Sequence, residues 1–337
     1  MKAVVIEKPG QAAVQSVADP TPKPGEVLLK IRRVGLCGTD LNSFRGKNPM
    51  VSYPRVIGHE ICATVVEASS GHPHLTTGTN VTVSPYIPCG RCPACLRGRA
   101  NACQINQTLG VMCDGALAEY FAIDAAKLYT ASLGLEELCL VEPLSVGFHA
   151  VARGRVAADD AVAIWGCGGV GLGAIAASGF RGAKTIAIDM DDAKLALARK
   201  AGATDTINAA TEPVHDKLLE ITNGRGPDVA IEAIGLPATF RAAVEEVAFT
   251  GRVVYIGYAK EQVAYETRLF VQKELDILGS RNAQSADFRE VIAMLEAGRF
   301  PVDSAISHTI SLNETPETLQ AWSTNPVAYS KIIVRVS

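Results

Sequence analysis

The pattern of hydrophobic and polar residues changes part way along this chain of 337 residues. Up to about residue 145, short apolar runs rich in valine and isoleucine alternate with stretches that contain proline and glycine, which is typical of strands and turns. The clearest predicted strands are 1–8, 26–37, 60–68 and 80–87. This part of the chain is therefore predicted to be rich in β-structure.

Beyond about residue 160, predicted strands and helices follow one another in turn. The predicted strands are 161–165, 184–189, 227–235 and 251–257, and helical segments separate them. Such an alternation is typical of a parallel sheet that is covered by helices on both faces. An α/β fold with a doubly wound parallel sheet is therefore predicted for this part of the chain.

The order of the two patterns predicts that one domain interrupts the other. The sheet domain is expected at 148–284. A helix and a final strand follow it, so that 285–337 would return to the β-rich domain formed by 1–147. Both predicted domains have ordinary sizes.

Four cysteines lie close together in the β-rich region. Cys89, Cys92, Cys95 and Cys103 have the spacing C-x2-C-x2-C-x7-C, at which four thiolates can surround one ion. Zinc with four sulfur ligands has no open coordination position, so it holds a loop in place and does no chemistry. Four unrelated cysteines or a disulfide framework are the alternatives, and the latter is typical of much smaller secreted chains. A structural zinc is predicted here.

A glycine pattern of the form G-x-G-x-x-G follows the strand predicted at 161–165. Gly166 permits a tight turn, Gly168 lets the backbone approach a pyrophosphate, and Gly171 allows close packing of strand and helix. The N-terminus of the next helix offers free N–H groups and the positive end of its dipole to phosphate groups. A dinucleotide is therefore predicted to bind at this turn.

An acidic residue, Asp189, ends the next predicted strand, where a carboxylate can accept hydrogen bonds from ribose hydroxyls. Met190, Asp191 and Asp192 follow and include no cation, so a 2′-phosphate would meet negative charge there. NAD is therefore predicted in preference to NADP. The alternative interpretation makes Asp189 the N-cap of the next helix, and the two roles are compatible.

Composition and charge exclude several classes of function. The net charge is −3 and the isoelectric point is about 6.1, which argues against nucleic acid or an anionic membrane as the main partner. We find no apolar segment of membrane-spanning length and no signal-peptide pattern. Nine cysteines fit a reducing compartment, and a cytoplasmic protein is expected.

Three residues that are far apart in the sequence are candidate ligands of a second metal ion. Cys37 lies in VGLCGTD, His59 in RVIGHE and Glu142 in VEPL. Cysteine, histidine and glutamate with water as the fourth ligand would form a zinc site with an open position, as catalysis requires. Each residue alone is more typical of a packed core. Their combination with the four cysteines and the glycine turn favours a second zinc.

The order of these motifs resembles that of the zinc-dependent medium-chain dehydrogenases/reductases, the superfamily of zinc alcohol dehydrogenases. The resemblance extends from CGTD through GHE, the four cysteines, VEPL and GCGGVG to the final strand. The runs SYPRVIGHEI and LGSRNA are similar to those of polyol, threonine and sugar-acid dehydrogenases, in particular bacterial L-galactonate 5-dehydrogenases. The resemblance implies a Rossmann NAD-binding domain that is inserted in a GroES-like catalytic domain.

The resemblance also implies roles for individual residues. Cys37 and His59 would bind the catalytic zinc, and Glu142 would be the usual third protein ligand. Glu60 would be an alternate ligand or would assist ligand exchange, and the choice between the two glutamates at rest stays open. Thr39 would contact the alcohol group of the substrate.

One position departs from the family pattern. The family commonly has a histidine five residues after the catalytic cysteine, whereas this chain has Asn42. Because asparagine does not titrate, the proton would leave through water, a ribose hydroxyl or Glu142. Asp40 would orient a zinc ligand, with His59 as the expected partner.

The implied reaction is the oxidation of a secondary alcohol in a sugar acid or polyol. Zinc would act as a Lewis acid, Thr39 would accept the proton, and NAD would accept the hydride. An L-threonine 3-dehydrogenase or a sorbitol-type dehydrogenase is the alternative within the family. A non-catalytic nucleotide-binding protein and a zinc-free quinone reductase are disfavoured, because the candidate zinc ligands are intact. A homodimer or homotetramer is expected by resemblance, with sheets that pair near 253–257 and 275–279.

Overall fold

The computed structural model describes residues 1–68 and 71–337. The chain divides into two compact units. The first unit comprises Met1–Glu142 and Val302–Ser337, and the second comprises Pro143–Pro301. The sequence predicted domain limits after residues 147 and 284, and these limits stay predictions. The compact units of the structure change after residues 142 and 301.

The strands of the described residues are short, with one exception of eleven residues in the first unit. In chain order they are β1 (Lys2–Lys8), β2 (Gln11–Ser16), β3 (Glu26–Leu36), β4 (Arg55–Val56), β5 (Glu60–Glu67), β6 (Asn80–Val83), β7 (Tyr86–Ile87), β8 (Gln107–Thr108), β9 (Tyr120–Asp124), β10 (Leu128–Thr130), β11 (Ala161–Trp165), β12 (Lys184–Asp189), β13 (Asp205–Asn208), β14 (Val229–Glu232), β15 (Arg252–Tyr255), β16 (Asp276–Gly279), β17 (His308–Ser311) and β18 (Ile332–Arg335).

The helices of the described residues range from one turn to about five turns. In chain order they are α1 (Gly38–Phe44), α2 (Pro93–Leu96), α3 (Leu135–Arg153), α4 (Gly169–Phe180), α5 (Asp192–Lys200), α6 (Val214–Ile221), α7 (Pro237–Glu246), α8 (Arg268–Gln272), α9 (Ser285–Glu296), α10 (Val302–Ala305) and α11 (Thr315–Thr324).

A seven-stranded sheet organises the first unit around the long strand β3. The strands follow the order β10-β6-β5-β3-β18-β17, and β9 also pairs with β3. In β3 the fully buried Val27, Leu29 and Ile31 alternate with more exposed residues, which is the period of a strand with one face on a core. The final strand β18 pairs with β3, with Val334 opposite Val34. The final strand therefore belongs to the sheet that the N-terminal part of the chain forms.

Six parallel strands form the sheet of the second unit, in the order β13-β12-β11-β14-β15-β16. This is the strand order 3-2-1-4-5-6 of the doubly wound Rossmann fold, in which ligands bind beyond the carboxyl ends of the strands. The turns that follow β11, β12 and β14 all lie at that edge of the sheet. The predicted doubly wound parallel sheet is confirmed.

Each unit has its own hydrophobic core. A smaller buried cluster in the first unit joins Cys62 of β5, Leu138 and Cys139 of α3, and Ile333 of β18. This packing holds the first half of α3 against the seven-stranded sheet, and thereby brings Glu142 to the ends of β3 and β5.

Candidate active site and metal-binding clusters

The four cysteines predicted to bind a structural zinc lie together. Their sulfur atoms are all within 4.8 Å of one another, and Cys92 Sγ lies 3.5 Å from Cys95 Sγ and 3.9 Å from Cys103 Sγ. None of the four forms a disulfide bond. The short helix α2 begins directly after Cys92, its N-cap, and residues three apart on a helical turn share one side. The alternative of a disulfide framework, which the sequence disfavours, is not formed by these four cysteines.

Backbone N–H groups favour the thiolate form at part of this cluster. The N–H groups of Gln104 and Cys95 lower the pKa of Cys92 to about 6, and that of Arg91 lowers the pKa of Cys89. Burial instead raises the pKa of Cys95 to about 12. A zinc ion deprotonates the thiols that coordinate it. Four convergent sulfurs fit a tetrahedral zinc without an open position.

The pairing of β3 with β5 brings Cys37 and His59 into contact. Cys37 directly follows β3 and His59 directly precedes β5, and the two strands are antiparallel with Gly35 opposite Glu60. Cys37 Sγ lies 3.0 Å from His59 Nε2. The strand register therefore joins two predicted ligands that are far apart in the sequence.

The start of α1 holds Cys37 and Asp40 in a capping box. The Sγ of Cys37 accepts the N–H of Thr39 at 3.2 Å, and the Asp40 carboxylate accepts the N–H of Cys37 at 2.9 Å. Asp40 is fully buried, and its Oδ1 lies 3.7 Å from His59 Nδ1, beyond hydrogen-bond distance. Asp40 therefore faces the ring nitrogen that is not in contact with Cys37.

Glu142, the third predicted ligand, reaches the same cluster from α3. A carboxylate oxygen of Glu142, one of Glu60 and a ring nitrogen of His59 are all within 4.8 Å of one another. Glu142 is 4% exposed, and its Oε1 accepts a hydrogen bond from the hydroxyl of Tyr86 at 2.5 Å. His59 thus belongs to two groups of close ligand atoms, one with Cys37 and one with Glu142, and cysteine, histidine and carboxylate are ordinary zinc ligands.

Glu60 forms a buried ion pair that the sequence analysis missed. Lys331 Nζ donates to Glu60 Oε1 at 2.6 Å and to Oε2 at 2.7 Å, and both side chains are at least nine-tenths buried. A Cβ at Gly35 would lie 1.9 Å from Glu60 Oε2, so the carboxylate occupies space that only glycine leaves. A lysine at the start of the apolar run IIV was the available sequence signal.

The pKa values of this cluster reflect burial and crowded charge. Burial, with the neighbouring Glu60 carboxylate, raises the pKa of Glu142 to about 7. Burial acts to lower the pKa values of His59 and Lys331, but the negative groups beside them outweigh it and raise both. Cys37 is among the groups that raise them. The cluster therefore favours bound positive charge, which fits a divalent cation.

Thr39 and Asn42 lie on α1. Thr39 is half-buried in the first turn, two residues from Cys37, whereas the Asn42 side chain is exposed. The carbonyl oxygen of Thr39 accepts a hydrogen bond from the hydroxyl of Ser43 at 2.8 Å, and this bond lies within α1. Thr39 is thus near the cluster, and Asn42 faces solvent where the family commonly has histidine.

The glycine turn in the second unit has the geometry that a pyrophosphate needs. Gly166 has φ +97°, and a Cβ at Gly171 would lie 1.8 Å from its carbonyl oxygen. A Cβ at Gly168 or Gly169 would meet no atom within 4 Å. Gly168 is the N-cap of α4 and caps it with no side chain, so the first N–H groups of the helix are left for an anion.

Asp189 ends β12 beside this turn. Its Oδ2 accepts the N–H of Cys167 at 2.8 Å, and its Oδ1 accepts the N–H groups of Met190 and Asp191 at 2.8 and 3.2 Å. These bonds hold the carboxylate at the carboxyl end of the strand. The N-cap of α5 is Asp191, whose Oδ1 accepts two helical N–H groups, so the alternative interpretation of Asp189 as that N-cap was wrong.

A buried acid at the end of β14 was also missed. Glu232 is fully buried, and its Oε1 accepts the N–H groups of Ile234 and Gly235 and the hydroxyl of Thr239 at 2.7 to 2.9 Å. A Cβ at Gly257 would lie 2.4 Å from its Oε2. Glu232 therefore shapes a turn at the ligand-binding edge of the sheet, and an acid that ends the apolar run VAI was its signal.

Comparison with known proteins places this geometry in a family. An alcohol dehydrogenase GroES-like domain model matches residues 23–132, and a zinc-binding dehydrogenase model matches residues 169–297. Sorbitol dehydrogenase of Bacillus subtilis is 33% identical over 328 residues, 95% of this chain and 93% of that protein. L-galactonate-5-dehydrogenase of Escherichia coli is 30% identical over 321 residues, 95% of this chain and 94% of that protein. The chain belongs to the zinc-type alcohol dehydrogenase family.

Solved structures of the same fold contain nicotinamide dinucleotides. A short chain alcohol dehydrogenase (rspB) from Escherichia coli CFT073, complexed with NADH, has a TM-score of 0.92 and 28% identity over 100% of this chain and 99% of that one. A protein from Sinorhizobium meliloti 1021 bound to NADP has a TM-score of 0.91 and 31% identity over 99% of both chains. The predicted Rossmann and GroES-like domains and the predicted zinc and NAD cofactors are confirmed for the family.

The family is that of oxidoreductases that act on small molecules, as the sequence predicted, and it includes polyol and sugar-acid dehydrogenases. Within residues 1–68 and 71–337, no helix combines the length and the apolar character needed to cross a membrane.

Proposed function

We propose that this protein oxidises a secondary alcohol of a sugar acid or polyol with NAD. The observation that carries the proposal is that His59 contacts Cys37 at 3.0 Å and also has a ring nitrogen within 4.8 Å of a carboxylate oxygen of Glu142, in a chain whose second unit has a glycine turn of the form G-x-G-x-x-G. When bound, zinc supplies a Lewis acid for the alcohol oxygen and NAD accepts the hydride. The similarity to sorbitol dehydrogenase and L-galactonate-5-dehydrogenase supports the substrate class.

We propose further that zinc is held at rest by Cys37, His59 and Glu142 and not by Glu60. Both carboxylate oxygens of Glu60 accept hydrogen bonds from the buried ammonium of Lys331, whereas Oε1 of Glu142 accepts one from the neutral hydroxyl of Tyr86. A carboxylate whose two oxygens are engaged by a buried ammonium must break that ion pair before it binds a metal. Glu60 therefore stays the alternate ligand.

Asp40 and Thr39 are proposed to support the reaction from α1. Asp40 faces His59 Nδ1 at 3.7 Å, and a carboxylate on that side orients the ring and raises its basicity as a ligand. Thr39 holds a hydroxyl two residues from Cys37, where it would accept the proton of the substrate alcohol as it passes its own proton on. Since Asn42 does not titrate, this proton leaves by water, a ribose hydroxyl or Glu142.

The four cysteines at 89–103 are proposed to bind the structural zinc, and Gly166, Gly168, Gly171 and Asp189 are proposed to bind NAD. Asp189 is followed by Met190, Asp191 and Asp192, whose charges oppose a 2′-phosphate. NAD is therefore proposed over NADP, although one similar structure contains NADP.

A homodimer or homotetramer is proposed through the edge of the six-stranded sheet. The edge strand β16 is largely exposed, including Ile277 at 41%, and an unpaired strand edge invites pairing with a second copy. Light scattering of the wild type and of Ile277→Lys tests this, and a wild-type monomer would reject it. The cytoplasmic location stays a prediction.

The test of the substrate class is NADH formation from NAD with a panel of aldonates, polyols and L-threonine, with and without a zinc chelator. Chelator-sensitive turnover on an aldonate or polyol is expected. Turnover on L-threonine alone would instead establish the alternative, an L-threonine 3-dehydrogenase. The Glu142→Ala variant should lose turnover with each substrate while it still binds NAD.

A further inference from the structure

Tyr86 connects the two candidate zinc sites of the first unit. Its hydroxyl donates to Glu142 Oε1 at 2.5 Å, and the first of the four cysteines, Cys89, follows it by three residues. Tyr86 is 6% exposed and Glu142 is 4% exposed. A hydrogen bond that is shielded from water in this way is stronger than an exposed one, so it can orient the carboxylate.

The backbone of Tyr86 is held from two sides. Tyr86 lies opposite Thr108 in the pairing of β7 with β8, and its carbonyl oxygen accepts Lys127 Nζ at 2.7 Å. The two strands β7 and β8 flank the segment 88–106, which contains all four cysteines. A zinc ion that closes this segment would therefore keep the two strands together and Tyr86 in place.

The bond to Tyr86 selects how Glu142 can bind a metal. A carboxylate has two oxygens, and either or both can coordinate a cation. The phenol hydroxyl engages Oε1 and so fixes the direction in which the carboxylate faces. A phenol is a neutral donor, so Tyr86 orients Glu142 without the charge by which Lys331 holds Glu60.

We propose that Tyr86 is a positioning residue that orients Glu142 for the catalytic zinc, and that the four-cysteine segment holds Tyr86 in place. The inference rests on the proposed function, because it requires a metal at Cys37, His59 and Glu142. It goes beyond that function because it links zinc binding by the four cysteines to the metal affinity of the catalytic site.

The first test is Tyr86→Phe, which removes one oxygen atom and keeps the ring. The readout is the affinity of the catalytic site for Co²⁺, measured by chelator competition and visible absorption in protein whose other site holds zinc. Loss of an outer partner of a metal ligand typically weakens binding about 10–100-fold, and this range is expected with a shifted cobalt absorption band. The control Tyr265→Phe loses a phenol donor in the second unit and should match the wild type.

A double-variant cycle separates orientation of Glu142 from a general effect on folding. In a Glu142→Ala background, Tyr86→Phe should have no further effect on Co²⁺ affinity, because the group that it orients is gone. An equal loss in both backgrounds would overturn the proposal. Unchanged affinity in Tyr86→Phe alone would also overturn it, whereas a wild type that binds no more Co²⁺ than Cys37→Ser would reject the proposed function itself.

The coupling to the structural zinc is tested with Cys95→Ser. This variant should weaken Co²⁺ binding at the catalytic site in the same direction as Tyr86→Phe, and the two changes together should be no worse than the larger one. Lys127→Met, which leaves all four cysteines intact, provides the same test through the carbonyl of Tyr86 if Cys95→Ser does not fold. Additive losses in both combinations would overturn the coupling.

Discussion

The two candidate zinc sites differ in how much of the chain is needed to build them. The four cysteines lie within 89–103, and their sulfurs contact one another and nearby N–H groups. The other site draws on β3, β5 and α3, and buried side chains face or hold its members: Asp40, Tyr86 and Lys331. A site that holds a loop can be specified by that loop, whereas a site that keeps a coordination position open depends on the residues around its ligands.

The largest effect is expected from loss of a ligand at the candidate catalytic site of Cys37, His59 and Glu142, which is called the open site below. Cys37→Ser should reduce NADH formation to below about 1% of the wild type, because the Lewis acid is lost or displaced. Zinc content should fall from two ions to one per chain. Cys113→Ser is the matched control, since Cys113 belongs to neither cluster. Two zinc ions retained in Cys37→Ser would contradict the proposed division between the sites.

Removal of a buried cation beside the open site should reduce stability. Lys331→Met leaves Glu60 charged and unpaired, which typically destabilises a protein by about 3–5 kcal/mol. Urea unfolding measures the loss, and the double variant Glu60→Gln/Lys331→Met should regain most of it. Lys217→Met removes an exposed ion pair to Glu220 and should change little. If Lys331→Met and Lys217→Met lowered the free energy of unfolding equally, the claim that the buried ion pair stabilises the protein more than the exposed one would be wrong.

When zinc is removed by a chelator, the two sites should lose their zinc ions at different rates. Under excess chelator, the zinc of the open site is expected to leave first and to take NADH formation with it. The zinc bound by four thiolates should leave later and lower the unfolding temperature, by about 2–4 °C for each kcal/mol lost. Zinc release, activity and thermal unfolding followed in parallel give the result. Activity and stability that fall together would contradict it.

The smallest effect is expected from a change that spares both metals. Asp189→Ser removes a carboxylate from the proposed ribose contact, and the loss of a charged hydrogen bond corresponds to about tenfold or more in NAD affinity. The affinity for NADP should fall less than that for NAD, so the ratio of NAD to NADP affinity should decrease. Zinc content should be unchanged, and Asp216→Ser, an exposed acid of α6, is the control. An unchanged ratio of NAD to NADP affinity would refute the role of Asp189.

Much of the fold could be predicted because its patterns are local. The alternation in β3, the glycines at 166–171 and the acid that ends β12 each lie within a few residues, and each specifies one element or one turn. The spacing of the four cysteines likewise predicts a cluster, which the structure contains. The compact units change at 142/143 and 301/302. Neither α3 nor the segment before α10 has a local sequence signal that marks these boundaries.

The partners of the catalytic candidates could not be predicted in the same way. Lys331 meets Glu60 across 271 residues, and Tyr86 meets Glu142 across 56 residues. Such contacts depend on strand register and on the packing of α3, which no short pattern contains. A lysine in an apolar strand and a tyrosine before a cysteine run each have many ordinary explanations.

Gly35 has a consequence for how this protein can change over evolutionary time. Because a Cβ at this position would lie 1.9 Å from Glu60 Oε2, any side chain there displaces the carboxylate that Lys331 holds. Glycine within a strand weakens that strand, so substitutions that favour the local fold conflict with the site. A side chain at position 35 therefore requires the Glu60 carboxylate and its ion pair with Lys331 to move, so a change in the middle of a strand would be felt at the candidate metal site through Glu60.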